Sequence, residues 1–198
     1  MTTETTALSV RTAPQETSPL RRIATRLGVD PALLLETVKK TITKRDCTNE
    51  QMLTFLAVAD AYELNPLRRE IYAMFGKGGD LIPTVGYDGW AILAARHPLC
   101  NGFDFIEHND ANGDLVSVSC RMWVKGREHP TTITEHRAEC FRDTIPWNTM
   151  PRRMNRIKAF SQAVRAVLGV SGIYDPDEAE RMASGEPLNP PPTGSTTA

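Results

Sequence analysis

Apolar positions along the chain recur with two different periods, and the switches between them divide the sequence into helical and strand regions. Leu34, Val38 and Ile42 repeat at helical spacing behind Asp30-Pro31, an N-cap followed by proline at the first helical position, which predicts a first helix. Thr48 and Gln51 form a capping box for a second helix, in which Met52, Leu53, Leu56, Ala59 and Tyr62 or Glu63 continue until Asn65-Pro66 stops it. From Arg69 the period falls to two. Ile71, Ala73 and Phe75 alternate with Tyr72 and Met74, Gly76 to Asp80 turns the chain, and residues 81–85 return, so a β-hairpin with Lys77 at a basic tip is predicted. Pro83 cannot donate to a ladder and places its strand at an edge or beside a bulge.

Further on, Asp88 is expected to cap a short helix through Trp90, Leu93 and Ala94 that ends at Pro98. Residues 103–108, 115–124 and 131–135 alternate as strands separated by turns and predict an antiparallel meander. A long helix over about 151–168 is closed by Gly169, and Gly172-Ile173-Tyr174-Asp175-Pro176 leads into a short acidic helix ending near Ala183. The fold class expected is α+β: N-terminal helices, a basic β-hairpin and an antiparallel β-meander, then a long basic amphipathic helix.

Composition narrows the class. With 40% hydrophobic and 24% charged residues among 198, the chain can bury a core, which excludes a wholly disordered or collagen-like protein. Apolar runs such as 55–59 and 91–95 fall far below the roughly 18–20 residues that span a bilayer, so no membrane helix is expected. Residues 1–19 and 185–198 are rich in Thr, Ser and Pro without apolar periodicity, and are expected to be disordered tails around one core domain, 20–184. Cys47, Cys100, Cys120 and Cys140 are spread without a CxxC, and the N-terminus lacks an apolar signal region, so reduced thiols in a cytoplasm are expected.

The formal charge of −1 carries no polyanion signal, so any nucleic-acid reading must rest on local charge. Between Thr144 and Tyr174 stand five cations, Arg152, Arg153, Arg156, Lys158 and Arg165, and no acid; Asp175, Asp177, Glu178 and Glu180 follow. On a helical wheel Met154, Ile157, Phe160, Val164 and Val167 share one side, and Asn155, Lys158, Gln162 and Arg165 lie opposite. The expectation is an exposed basic rail for phosphates, from which Lys158 and Arg165 can be removed without cost to the core. The plain alternative is a solvated surface helix with a chance charge bias.

Other chemistries find little support. Gly76 to Gly79 lies in a hairpin and lacks GxxxxGK[ST], which argues against an ATP site. His97, His108, His129 and His136 give no zinc spacing with the cysteines, and no nucleophile elbow is present, so no catalytic residue and no metal ligand is assigned. Asp104, Glu107, Asp110 and Asp114 sit in and beside a turn, where solvation explains them better than magnesium binding. Among the aromatics, Tyr72, Phe75, Tyr87, Trp90 and Trp123 are expected in the core, and Trp147 is expected to be partly exposed in the loop before the basic helix.

Three strings carry a family likeness: Leu64-Asn65-Pro66-Leu67-Arg68-Arg69-Glu70-Ile71-Tyr72-Ala73, Pro83-Thr84-Val85-Gly86-Tyr87-Asp88-Gly89-Trp90, and Pro146-Trp147 through Pro151-Arg152-Arg153-Met154 to Gly172-Ile173-Tyr174-Asp175. Together they resemble the RecT/Bet family of phage recombinases, in order and near-equal spacing over about 25–182. The resemblance implies an ATP-independent single-strand annealing protein in the cytoplasm of a bacterial host. Such a protein binds single-stranded DNA, pairs it with its complement and holds the nascent duplex in a homo-oligomeric ring or helical filament. It implies no cofactor, with magnesium at most a non-catalytic counterion, and DNA contacts at Arg152, Lys158, Arg165, Arg69, Lys77 and Lys44, to which the charge pattern adds Arg153 and Arg156 and the loop before the basic helix adds Trp147. Two departures limit the transfer. The loop between Arg142 and Pro146 is shorter than the family pattern, and the chain ends in GEPLNPPPTGSTTA where a longer family member continues into a helical domain that recruits an exonuclease and the host single-strand binding protein. That docking function is therefore not supported for this chain, and both proteins stay open as partners without it. The competing readings are a metal-dependent nuclease and a sequence-specific duplex binder that would use Asn155 and Gln162 in a groove.

Overall fold

The structure is a computed structural model and describes residues 18–42 and 47–185. Lys44 and the terminal segments 1–17 and 186–198 lie outside the described residues.

Helix α1 (Pro19–Leu27) opens behind Ser18 and closes on Gly28, whose φ of 67° is the left-handed cap that glycine adopts without strain. This helix lacks the apolar run that would announce it: only Ile23 and Ala24 are buried, and Arg22 and Arg26 instead reach Asp60 of α3 at 2.6 and 3.3 Å. Helix α2 (Pro31–Ile42) starts on Asp30, whose Oδ1 accepts from the amides of Ala32 and Leu33. Helix α3 (Asn49–Ala61) carries the predicted Thr48–Gln51 capping box, but ends four residues before Asn65-Pro66.

The intervening turn has its own support. Asn65 Oδ1 accepts from the amides of Leu67 and Arg68, and the Asn65 amide donates to the buried Glu70 carboxylate at 2.8 Å. This bracing holds Arg69 at a φ of 58°, a left-handed conformation that residues other than glycine rarely take, and presents its side chain to solvent.

Strands β1 (Tyr72–Phe75) and β2 (Leu81–Thr84) form the hairpin, with Ala73 opposite Pro83 and Lys77 exposed in the turn. In a two-stranded sheet both strands are edges, so Pro83 costs no ladder bond. The free side of β2 is covered by the returning chain: the Val85 amide donates to the Tyr174 carbonyl at 2.8 Å and the Tyr174 amide to the Pro83 carbonyl at 3.0 Å.

Helix α4 (Tyr87–Arg96) begins at Gly86 with no side-chain cap, so the expected cap at Asp88 is corrected: Asp88 lies inside the first turn. Gly89 of α4 is pressed against the Asn65–Glu70 turn, where a Cβ would collide with the Glu70 carbonyl and with Val85. Strands β3 (Cys100–Asn109), β4 (Leu115–Val124) and β5 (Thr131–His136) form the predicted meander, with β4 in the centre.

After two short helices that the pattern does not show, α5 (Arg137–Cys140) and α6 (Ile145–Thr149), helix α7 (Pro151–Leu168) lies across β4 and β5 and touches α4. Phe160 is fully buried, its ring 4.5 Å from Phe103 and 5.7 Å from Tyr87 between centroids. Helix α8 (Pro176–Ser184) packs on β1 and β2. The result is the expected α+β class, with one core that joins the helices, the hairpin and the inner face of the meander. No helix of the described residues is long and apolar enough to cross a membrane.

Replacing Gly89 by Ala should destabilise the protein by about 1–3 kcal/mol, because the added methyl overpacks against backbone that has little room to move. Chemical denaturation checks this, and Gly86→Ala, where nothing lies within reach of a Cβ, is the control.

Candidate nucleic-acid interface

Helix α7 distributes its cations into two groups with different partners. Lys158 is 9% exposed, and its Nζ donates to Asp175 Oδ2 at 2.6 Å. The other oxygen of Asp175 accepts from the amides of Asp177 and Glu178, so one carboxylate both caps α8 and pairs the buried ammonium. Arg165 donates to Glu178 at 2.9 Å and to the Ile173 carbonyl, and lies over the rings of Trp90 and Tyr174. Gln162 donates to the same Glu178 carboxylate at 2.8 Å, and buried Asn155 donates to the Glu135 carbonyl of β5 at 3.2 Å.

The expected open basic face is therefore corrected. α7 packs against the meander, and its polar side is itself covered, by β5 at Asn155 and by residues 173–178 at Lys158, Gln162 and Arg165. Burial opposes the charge of Lys158, but Asp175 and Glu178 outweigh it and hold the ammonium above the usual lysine range. Trp147 is corrected with them: it is fully buried in α6, and its Nε1 donates to Asp177 at 3.1 Å.

Arg152, Arg153 and Arg156 form the second group, all exposed in the first two turns of α7. The N-cap residue Met150 makes no side-chain bond to the helix, so the amides of this end keep their positive potential and the three guanidinium groups add to it. Glu107 of β3 supplies the counter-charge, with Oε2 2.6 Å from Arg152 and Oε1 2.5 Å from Arg156. Burial works against its charge, yet hydrogen bonds from the two arginines and their charges hold its pKa below the ordinary glutamate value.

Arg152 is further fixed by Asn109 Oδ1 and the Gly113 carbonyl, each at 3.0 Å, and so pins the β3–β4 turn to α7. Arg153 has no ion-pair or hydrogen-bond partner among the described residues. Beside the three arginines opens a cavity of about 810 Å³, with Tyr87, Phe105, Met150 and Ile157 as its apolar lining and Glu107 on its wall.

Arg69 and Lys77 stand apart from this cluster. Arg69 is exposed and lies 5.9 Å over the Tyr72 ring, and Lys77 is exposed at the hairpin tip beside the C-terminal cap of α8, where a Cβ on Gly185 would lie 3.5 Å from its side chain.

Two expectations about single residues also change. Tyr87, expected in the core, is 41% exposed, and Glu107, expected to be a solvated turn carboxylate, is the partner of two arginines. Two of the other acids are occupied in other ways: Asp104 pairs with Arg121, and Asp110 accepts from the turn amides of Asn112 and Asp114, while Asp114 is exposed. Among the described residues no three His, Cys, Asp or Glu side chains are grouped to hold a metal ion. Burial pushes the Cys120 thiol up to about 12 and also raises that of Cys140, so neither supplies a thiolate.

A mixed α+β core with an arginine cluster at an uncapped helix end is found in a chain that a family model identifies: the RecT family model matches residues 31–190, and the protein belongs to that family. It is similar to the Recombination protein bet of Escherichia phage lambda, with 38% identity over 174 residues, covering 81% of this chain. The match spans 64% of that relative's length.

Lys158→Gln should cost about 3–5 kcal/mol, since it strands Asp175 as a buried carboxylate without its cation. Arg153→Gln should stay within about 0.5 kcal/mol of the parent. Denaturant melts of the two variants separate the structural cations from the open ones. Acid titration adds a second check. Because the folded-state pKa of Glu107 is depressed, its ion pairs stabilise above the ordinary glutamate value of about 4.3 and are lost as pH falls through the lower folded value. The stability difference between the parent and Glu107→Gln should therefore close in that acid window.

Proposed function

We propose that the protein binds single-stranded DNA at the start of α7 and anneals complementary strands during phage-type recombination, without a nucleotide cofactor. The observation that carries this reading is the cluster of three exposed arginines at a positive helix end, where Glu107 pairs with Arg152 and Arg156 and leaves Arg153 without a counter-charge among the described residues. Membership of the RecT family and the likeness to a phage recombination protein support it. Arg153 and Arg156 contact phosphates, Arg152 orients the cluster, and the exposed Arg69 and Lys77 extend the path of the strand. Lys158, Arg165 and Trp147 hold the fold that presents them.

In this reading magnesium only screens phosphates, and a homo-oligomeric ring or filament holds the nascent duplex. A phage exonuclease and a host single-strand binding protein remain candidate partners. Metal-dependent cleavage is disfavoured, because Asp104, Glu107 and Asp110 are committed to arginines and turn amides and no three acidic, His or Cys side chains are grouped to hold a metal ion among the described residues.

The test is an Arg153→Gln/Arg156→Gln variant. Its affinity for oligonucleotides of unrelated sequence should fall by similar factors, and its log-log salt dependence should flatten by roughly 0.7 for each lost phosphate contact. Annealing by the parent should proceed with no nucleotide added. Unchanged salt dependence in the variant, or an absolute requirement for ATP, would overturn the proposal.

A further inference from the structure

The cavity beside the arginine cluster has a chemistry that phosphate binding leaves unused. Tyr87 and Met150 are 41% and 43% exposed, and both line this cavity with Phe105 and Ile157. Its volume of about 810 Å³ lies within the range of small-ligand sites, about 300–1,000 Å³. Three arginines against one glutamate leave its wall with a charge of 3 − 1 = +2. An occupant must then be anionic at one end and flat and apolar at the other.

We infer that the cavity is a nucleobase subsite, in which one unpaired base stacks on Tyr87 while Arg153 and Arg156 hold its flanking phosphates. The inference rests on the single-strand reading above and names which part of the strand the site grips. Tyr87 suits the role because its ring is braced against Phe160, 5.7 Å away between centroids, and stands at the first turn of α4. Its exposed area is therefore presented in a fixed orientation. Stacking reads no sequence, since every base offers a π-face. It also leaves the Watson–Crick edge free, so a gripped base can still be tested against an incoming strand.

The experiment compares a thymidine oligonucleotide with an abasic strand of equal length and charge, using the full chain and fluorescence anisotropy at one salt concentration. The parent should bind the abasic strand about five- to a hundredfold more weakly, as expected for loss of a stacked base. Tyr87→Leu should lose a similar factor on the thymidine strand and nothing further on the abasic one, whereas Tyr87→Phe should bind both as the parent does. Equal affinity of the parent for the two strands would overturn the subsite, and this arm needs no variant to fold. Penalties from Tyr87→Leu and from base removal that multiply would overturn it too. So would a change in oligomeric state by Tyr87→Leu with DNA binding intact, because the cavity would then receive a neighbouring copy. If the parent bound neither strand, the single-strand reading would fail instead.

Discussion

The buried pair of Lys158 and Asp175 fixes how the last third of the chain closes on the rest. Removing an ammonium and a carboxylate from water costs several kcal/mol per ion, and the cost is offset only when geometry and further hydrogen bonds are good. Here Asp175 makes 2.6 Å contact with Lys158 and also accepts from two amides of α8, while Glu178 returns a bond to the Asp175 amide. Every part of that arrangement requires α7, residues 173–175 and the start of α8 to be in place together. The same segment supplies the Tyr174 bridge to β2, so the hairpin is joined to α7 through the ion pair.

This constraint decides which cations are available for binding. Charges midway along α7 are consumed by the acids that follow it, whereas the arginines of the first two turns extend past that cover and, among the described residues, pair with one acid, Glu107. A long helix with a continuous basic stripe thus becomes a short positive end on a neutralised shaft. Such an end adds three guanidinium groups to the positive potential of a helix terminus that no side chain caps.

Local signals made most of the fold legible. The Thr48 capping box, the period-two run through Phe75, the meander and the Gly169 stop of α7 are each written within a few residues, and each is found in the structure, although α3 ends before the predicted Asn65-Pro66 stop. Helix α1 escaped because tertiary ion pairs to Asp60 help hold it where an apolar stripe is short. The candidate site was half legible. Arg153 and Arg156 followed from charge, but the wheel of α7 could not say that a second layer would cover its polar side. A usable signal existed: a purely basic face followed at once by Asp175, Asp177, Glu178 and Glu180 can fold back on itself, and two features read separately were one contact. Glu107 and Tyr87 carried no such signal, since their partners lie 45 and 73 positions away on α7.

The strings that mark the family mix residues of both kinds, which is why likeness conveys the fold more directly than the site. In 64–73, Asn65 and Glu70 shape a turn whose strain puts Arg69 outside. In 83–90, Gly89 and Trp90 are buried and Tyr87 is open. In the stretch ending at Tyr174-Asp175, Arg152 and Arg153 are exposed, Asn155 is buried against β5, and Lys158 and Asp175 pair with each other. In each string open and structural residues alternate within a few positions, so the place of an open residue also depends on its buried neighbours. A substitution at Glu70 or Asp175 would therefore alter binding by displacing Arg69 or the α7–α8 junction, even though neither carboxylate faces the DNA path proposed here. A loss of binding on its own thus identifies a contact residue only where the fold is measured alongside it.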